Sequence, residues 1–201
     1  LTVRNQHNAH LTPIAQAGSL IRRFRLSAAS QPVEDITEYA TQNTPMQRLL
    51  PAARRLNDNL EAHPLTATGY MEDYGVIAPN ESRRLIMPMP LGVLNQAKWR
   101  PLHIISGGLV IEADVDDHAV AFAENGPYII TDVSLLGHLH DIDSSLANSY
   151  ASHVLRGGPL HVHYSSVISS RHLLSGPTFS DNLVRGFTRL RQLYACFIQT
   201  R

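Results

Sequence analysis

The sequence predicts a mostly β fold, namely an antiparallel jelly roll or β-sandwich with short helices in the loops between strands. Short segments rich in β-branched and aromatic side chains recur along the 201 residues, and residues 128–133 are an example. Turn-forming Asn, Asp, Gly and Pro separate these segments. No repeat period or alternating βαβ layout is visible, which favours antiparallel pairing.

The first part of the chain, residues 1–83, is predicted to hold one strand and a long excursion of helix and loop. Residues 1–18 are polar, and residues 19–27 alternate as a strand with one basic, wet face. Leu20, Phe24 and Leu26 are expected to share a face with Arg22, opposite Ile21, Arg23 and Arg25. A solvated or subunit-contacting face is favoured over a phosphate site for these arginines.

Two helices are expected inside this excursion. Gln31-Pro32 is interpreted as a helix start, because proline is tolerated in the first turn. Glu34 and Asp35 would then lie where the helix dipole favours anions. Thr44-Pro45 is interpreted as a second start, and residues 57–82 as an exposed loop.

The second part, residues 84–201, is predicted to be a jelly-roll-like sandwich, either continuous with the first part as one domain or a fragment of a longer chain. Two prolines in the segment Met87-Pro88-Met89-Pro90 favour an edge strand or an extended arm. Further strands are expected at residues 102–105, 109–114, 128–133, 160–165, 179–184 and 193–198, with a short apolar segment at 119–122 and a hairpin at Asn125-Gly126.

The clearest predicted helix covers residues 143–156. Asp143 supplies an N-cap, because its carboxylate accepts hydrogen bonds from the free amides of a helix start. Leu146, Tyr150 and Val154 follow at helical spacing, and Gly157 supplies the stop.

Composition narrows the classes of function. The formal net charge is +0, which argues against nucleic-acid binding, since that requires clustered positive charge. Lys98 is the single lysine, so arginine provides nearly all the basic groups and favours bidentate pairing at interfaces. Cys196 is the single cysteine and excludes an intrachain disulfide. Residue 1 is Leu rather than Met, which suggests a processed chain or a piece of a longer one.

Two histidine pairs raise a metal hypothesis. His138 and His140, and likewise His161 and His163, are spaced to share one face of a strand. A cupin-like enzyme would also need a glutamate shortly after the pair, and none follows His163. No Gly-x-Ser-x-Gly or phosphate-binding glycine motif is present. We therefore expect no enzymatic activity, no cofactor and no required metal, and keep the cupin-like enzyme as the alternative.

Several stretches resemble major capsid proteins of the double jelly-roll lineage of icosahedral DNA viruses. They are residues 18–26 (GSLIRRFRL), 33–36 (VEDI) with Tyr39, 143–150 (DSSLANSY), 155–160 (LRGGPL), 187–190 (FTRL) and 194–197 (YACF). The resemblance implies a shell protein without catalytic residues. Two complete rolls need a longer chain, so one roll or parts of two are implied.

The resemblance also implies partners and location. The chain is expected to self-assemble into capsomers, together with other capsid proteins, and to reside in the virion after assembly inside a host cell. No specific nucleic-acid binding and no membrane span are expected. The residues we expect at subunit interfaces are Arg22, Arg23, Arg25, Met87 and Met89.

Overall fold

A computed structural model describes residues 1–14, 17–49, 51, 76–96, 101–105 and 107–169, with 176, 178, 180 and 189–195. The strands within them are β1 Thr2–Asn5, β2 Ile21–Ala28, β3 Gln31–Ile36, β4 Ser82–Arg84, β5 Leu109–Val115 and β6 Tyr128–Thr131. The α-helices are α1 Tyr39–Arg48, α2 His118–Ala121 and α3 Ser144–Leu155. Short 3₁₀ helices cover Ala17–Leu20 and Leu102–Ile104.

The strands form two antiparallel three-stranded sheets, which confirms the mostly β character of the fold. The first sheet has the order β4-β1-β6 and the second the order β3-β2-β5. β1 and β2 are the central strands, and each pairs with a strand from the second half of the chain. In both sheets, therefore, a strand from the first part of the chain pairs with a strand that follows residue 84.

Each sheet carries its own hydrophobic core. The core of the first sheet lies around β1, and its buried members are Val3, Leu11, Leu20, Ile77, Leu85, Ala121 and Phe122. The core of the second lies beneath β2, and its buried members are Ile21, Phe24, Leu26, Ile36, Leu91 and Val93. Met87 is partly buried against both cores and connects them.

Asn5 is a fully buried polar residue whose hydrogen bonds are supplied by the surrounding backbone. Its side-chain amide donates to the carbonyls of Ala9 and Ile77, both at 2.9 Å. Its side-chain oxygen accepts from the amide of His7 at 2.7 Å. Because an unpartnered buried amide is costly, this pairing fixes the loop after β1 against residue 77.

The predicted helix start at Gln31-Pro32 is wrong, because these residues begin β3. Ala29 and Ser30 adopt φ angles of 49° and 63°, and this two-residue turn returns the chain alongside β2. Proline removes an amide donor, but β3 is an edge strand and Pro32 lies beside a register shift opposite Ser27. Tertiary pairing therefore overrides the local helix signal.

A bulge changes the predicted faces of β2. The register with β5 passes from Ile21 opposite Val115 to Arg23 opposite Asp114, which leaves Arg22 as the extra residue. Ile21 is consequently buried with Phe24, whereas Arg22 is exposed. The predicted sharing of one face by Arg22 and Phe24 is wrong for this reason.

The second predicted helix start lies inside a single helix. α1 runs from Tyr39 to Arg48 with Pro45 inside it, so Thr44-Pro45 does not begin a new helix. The amide of Leu49 donates to the carbonyl of Pro45 at 3.2 Å, and Pro51 lies beyond the end of the helix.

Two further segments are helical. Residues 102–104 form a 3₁₀ turn where a strand was predicted, and the apolar segment 119–122 lies mostly in α2. Asp117 caps α2 by accepting the amide of Ala119 at 3.0 Å. The expected hairpin at Asn125-Gly126 is also wrong, because β6 pairs with β1 instead of with the preceding segment.

The C-terminal half confirms the predicted helix. α3 covers Ser144–Leu155, Asp143 accepts the amide of Ser145 at 2.9 Å, and Gly157 has a φ of 78°. The expected strand over 160–165 is wrong, since residues 159–169 belong to no sheet. Most of the strands predicted over 179–184 and 193–198 lie outside the described residues, and residues 193–195 are not in a strand.

The hydrogen bonds of Glu124 predict how the stability of the fold depends on pH. Burial alone would raise its pKa, but hydrogen bonds from the Thr12 backbone and hydroxyl outweigh burial and hold the pKa below its ordinary 4.5. A lowered carboxyl pKa stabilises the fold above the unfolded pKa, and this stabilisation is lost as pH falls through the folded value. We expect Glu124→Gln to cost about 1 kcal/mol at pH 7, with the cost shrinking below pH 4.5.

Urea unfolding of both proteins between pH 3 and 7 measures this difference. Thr12→Ala removes the hydroxyl donor and keeps the backbone donor. Its free energy of unfolding should therefore lie between those of wild type and Glu124→Gln. An unchanged difference between wild type and Glu124→Gln across the whole range would contradict the assignment.

Candidate interaction surface

The arginines of β2 form a ladder of ion pairs on the outer face of the second sheet. Arg23 binds Asp35 on β3 through two contacts, with its Nε 2.8 Å from Oδ1 and its Nη2 2.5 Å from Oδ2. Arg25 lies 3.3 Å from Glu112 on β5 and 3.7 Å from Asp35. Arg22, the bulged residue, is 4.0 Å from Asp114.

This face is electrically balanced. Three arginines face three carboxylates, and the hydrogen bonds that Arg23 donates to Asp35 raise the pKa of Arg23. A cleft of about 150 Å³ lies among Arg23, Arg25, Glu112 and Asp114. Its mixed lining presents donors and acceptors together, as a surface that meets another protein does, rather than the uniform positive charge that attracts phosphate.

The methionine segment lies between the two cores. Met87 and Met89 are half-buried against the protein's own apolar residues, whereas Ile86, between β4 and this segment, is 52% exposed. Leu85 is buried, and its amide donates to the carbonyl of Leu1 at 2.8 Å. The segment thus alternates inward and outward side chains, and Met87 and Met89 are the inward ones.

A buried carboxylate holds the next turn in place. Glu34 of β3 is 4% exposed, and its two oxygens accept the amides of Gly92 and Val93 at 3.0 and 3.1 Å. Charge-assisted bonds of this kind repay the desolvation of a buried anion. The predicted role of Glu34 in the first turn of a helix is wrong, because β3 directs its side chain into the protein.

Residues 163–169 lie beside β3 and the residue that follows it, Thr37. The Tyr164 hydroxyl donates to the carbonyl of Val33 at 2.7 Å. The Ser169 hydroxyl donates to the carbonyl of Thr37 at 2.8 Å, and the side-chain amide of Gln96 donates to the carbonyl of His163. Burial, and then the charge of Glu34, raises the pKa of Tyr164.

Gly92 makes this approach possible. A Cβ atom at position 92 would lie 1.8 Å from the backbone oxygen of Ser165, closer than any real contact. Only glycine therefore admits residues 163–169 beside the turn that Glu34 holds.

The histidine pairs are exposed. The rings of His161 and His163 are nearly parallel, with centroids 6.3 Å apart and 14° between their planes. His138 and His140 lie in an exposed stretch after β6. Within the part of the chain that the structure describes, no group of three or more His, Cys, Asp or Glu side chains is arranged to hold a metal ion.

The most unusual surface is the connecting arm, residues 132–162. None of these residues is buried. Its large apolar side chains are nevertheless exposed, with Val133 at 74%, Leu136 at 80% and Leu139 at 84% of their full area. On α3, Leu146 and Val154 are also exposed, and Leu155 reaches 87%. This concentration of exposed apolar groups makes the connecting arm the candidate interaction surface.

The sequence did not indicate Glu34, Gly92 or Tyr164 as functional residues. Their importance arises from hydrogen bonds between residues that are 58 and 131 positions apart in the sequence. The connecting arm carried a weak signal, because Val133, Leu135, Leu136 and Leu139 follow a strand without alternating strictly.

In comparisons with family models, curated proteins and solved structures, nothing matches this chain. Among the described residues, no helix has both the length and the apolar character that crossing a membrane requires. The function must therefore be inferred from the surface itself.

The histidine pair can be tested directly. We expect His161→Gln/His163→Gln to leave bound metal and assembly unchanged, because a stable site needs further ligands beside two imidazoles. Elemental analysis of the purified proteins measures the first property and sedimentation the second.

His153→Gln, on exposed α3, is the matched control for loss of a surface imidazole. Loss of a stoichiometric metal from the double variant alone would refute the expectation and support a metal enzyme.

Proposed function

We propose that this protein is a structural subunit that assembles with copies of itself into a closed shell, as a capsid protein with a jelly-roll-like fold. The observation that carries the proposal is the connecting arm, whose large apolar side chains are exposed and not covered by the residues that the structure describes. In this proposal the residues that cover the arm come from neighbouring subunits.

The size of the exposed apolar surface supports a permanent contact. Fully burying a Leu, Ile or Val side chain contributes about 1.5–3 kcal/mol. Val133, Leu135, Leu136, Leu139 and Leu155 are each more than 60% exposed, so their burial across a subunit contact supplies a substantial driving force. Obligate interfaces are rich in such groups and bury about 2,000 Å² or more.

The charge distribution is compatible with close packing of many copies. The formal net charge is +0, so subunits do not repel one another strongly. The balanced ladder of Arg22, Arg23 and Arg25 offers donors and acceptors together, which suits contact with a like surface. These arginines remain our candidates for interface residues. Met87 and Met89, whose side chains point inward, are proposed to position the exposed Ile86, which precedes Met87, and the exposed Pro88, which lies between the two methionines.

A cupin-like metal enzyme is the second candidate, and the parallel rings of His161 and His163 are the observation that favours it. It requires further ligands, which the described residues do not bring to the pair. The shell subunit needs no such addition, and we therefore prefer it.

The arm is tested by substituting its leucines. We expect wild type to sediment as oligomers or shells and Leu136→Ser/Leu139→Ser to sediment as smaller species at the same concentration. These side chains are exposed in the single chain, so the double variant should keep the wild-type circular dichroism spectrum. Sedimentation velocity over a range of concentrations measures the change.

Val120→Ser is the matched control, because Val120 is an exposed apolar residue on α2, outside the arm. It should assemble as wild type does. A wild-type protein that stays monomeric at high concentration and physiological salt would rule out the shell proposal.

A further inference from the structure

Residues 163–169, the docking segment, lie against a surface made by the edge of β3 and the turn of residues 91–96, and we call this surface the groove. Four features form this groove: the buried carboxylate of Glu34, the missing side chain of Gly92, the carbonyl of Val33 and the hydroxyl of Thr37. The contacts are mainly to backbone groups and small polar side chains. A second, identical chain presents the same groove to the same segment.

We propose that the docking segment is exchanged between subunits, so that residues 163–169 of one copy occupy this groove on the neighbouring copy. The proposal rests on the self-assembly proposed above and names the contact that carries it. The partner is a second copy of this chain, because the groove fits a segment that the chain itself supplies.

The connection between β6 and the docking segment is not packed into the core of its own chain, so it does not restrict the segment to docking there. None of residues 132–162 is buried, and α3 contains no buried residue. A ring contact joins Tyr150 of α3 to His103, with centroids 6.4 Å apart and both residues partly or fully exposed. A segment tethered through an exposed connection can dock in either chain with nearly the same contacts.

The connection is also long enough to reach a neighbour. Residues 132–143 are outside any helix or strand and, fully extended, span about 40 Å. The 12 residues of α3 add about 18 Å. Asp132 has a φ of 51°, so the chain changes direction as it leaves β6. Exchange would also bring the exposed leucines of the arm between two subunits.

Single cysteines on two different chains detect the exchange. The hydroxyls of Thr37 and Ser169 are 3.3 Å apart, a separation that suits a disulfide after substitution. Thr37→Cys and Ser169→Cys are placed on separate chains, each with Cys196→Ser, and the two chains are co-expressed and oxidised. We expect a disulfide-linked pair containing one chain of each kind, identified by intact mass on non-reducing samples.

Three controls define the specificity of the link. Ser134→Cys, an exposed serine on the arm, should not link to Thr37→Cys above background. Gly92→Ala, added to both chains, should abolish the link, because its Cβ would collide with the Ser165 backbone in the groove. Gly137→Ala is the matched glycine control, since a Cβ there meets nothing within 4 Å, and it should leave the link intact.

A single chain that carries all three substitutions, Thr37→Cys/Ser169→Cys/Cys196→Ser, separates the remaining outcomes. Links between chains support exchange. Links only within chains, in a protein that still sediments as an assembly, would overturn exchange and leave the proposed shell function standing. No link at all would overturn the docking contact itself, and a wild-type protein that is monomeric at every concentration would overturn both proposals.

Discussion

The carboxylate of Glu34 is the interaction on which much of the remaining structure depends. A buried anion needs hydrogen-bond donors, and the backbone amides of Gly92 and Val93 donate to the two oxygens of Glu34. The bond fixes the turn after the methionine segment, and thereby places Leu91 and Val93 in the core beneath β2. It also places Gly92 beside Ser165, so one side chain determines both a core and the groove on its outside.

Burial of apolar side chains differs between the two parts of the described chain. Before residue 132, two sheets bury their apolar faces, and Met87 joins the two cores. After that point the described residues bury none of their large apolar side chains, although the stretch is rich in Leu, Val and Ile. This contrast between the described residues before and after position 132 is the pattern expected of a fold that is completed by association.

Local signals allowed part of this structure to be predicted from sequence. α3 was predicted nearly to its ends, because Asp143 and Gly157 act within one turn of the helix. β3 was mistaken for a helix, because a proline and two acidic residues imitate a helix start, and only pairing with β2 across the Ala29-Ser30 turn decides otherwise. Glu34 and the groove depend on contacts between distant segments, which no local pattern encodes.

Glycine and polar residues separate the leucines of the connecting arm. Gly137, His138, His140 and Asp141 interrupt the leucines between Val133 and Ile142, so no more than two large apolar residues stand together. Unbroken apolar runs of high β-propensity are the segments that initiate aggregation, and interspersed polar or charged residues act as gatekeepers against it. His138 and His140, one of the two pairs that suggested a metal site, thus have a simpler consequence: they separate the leucines of the arm and disfavour indiscriminate β-stacking.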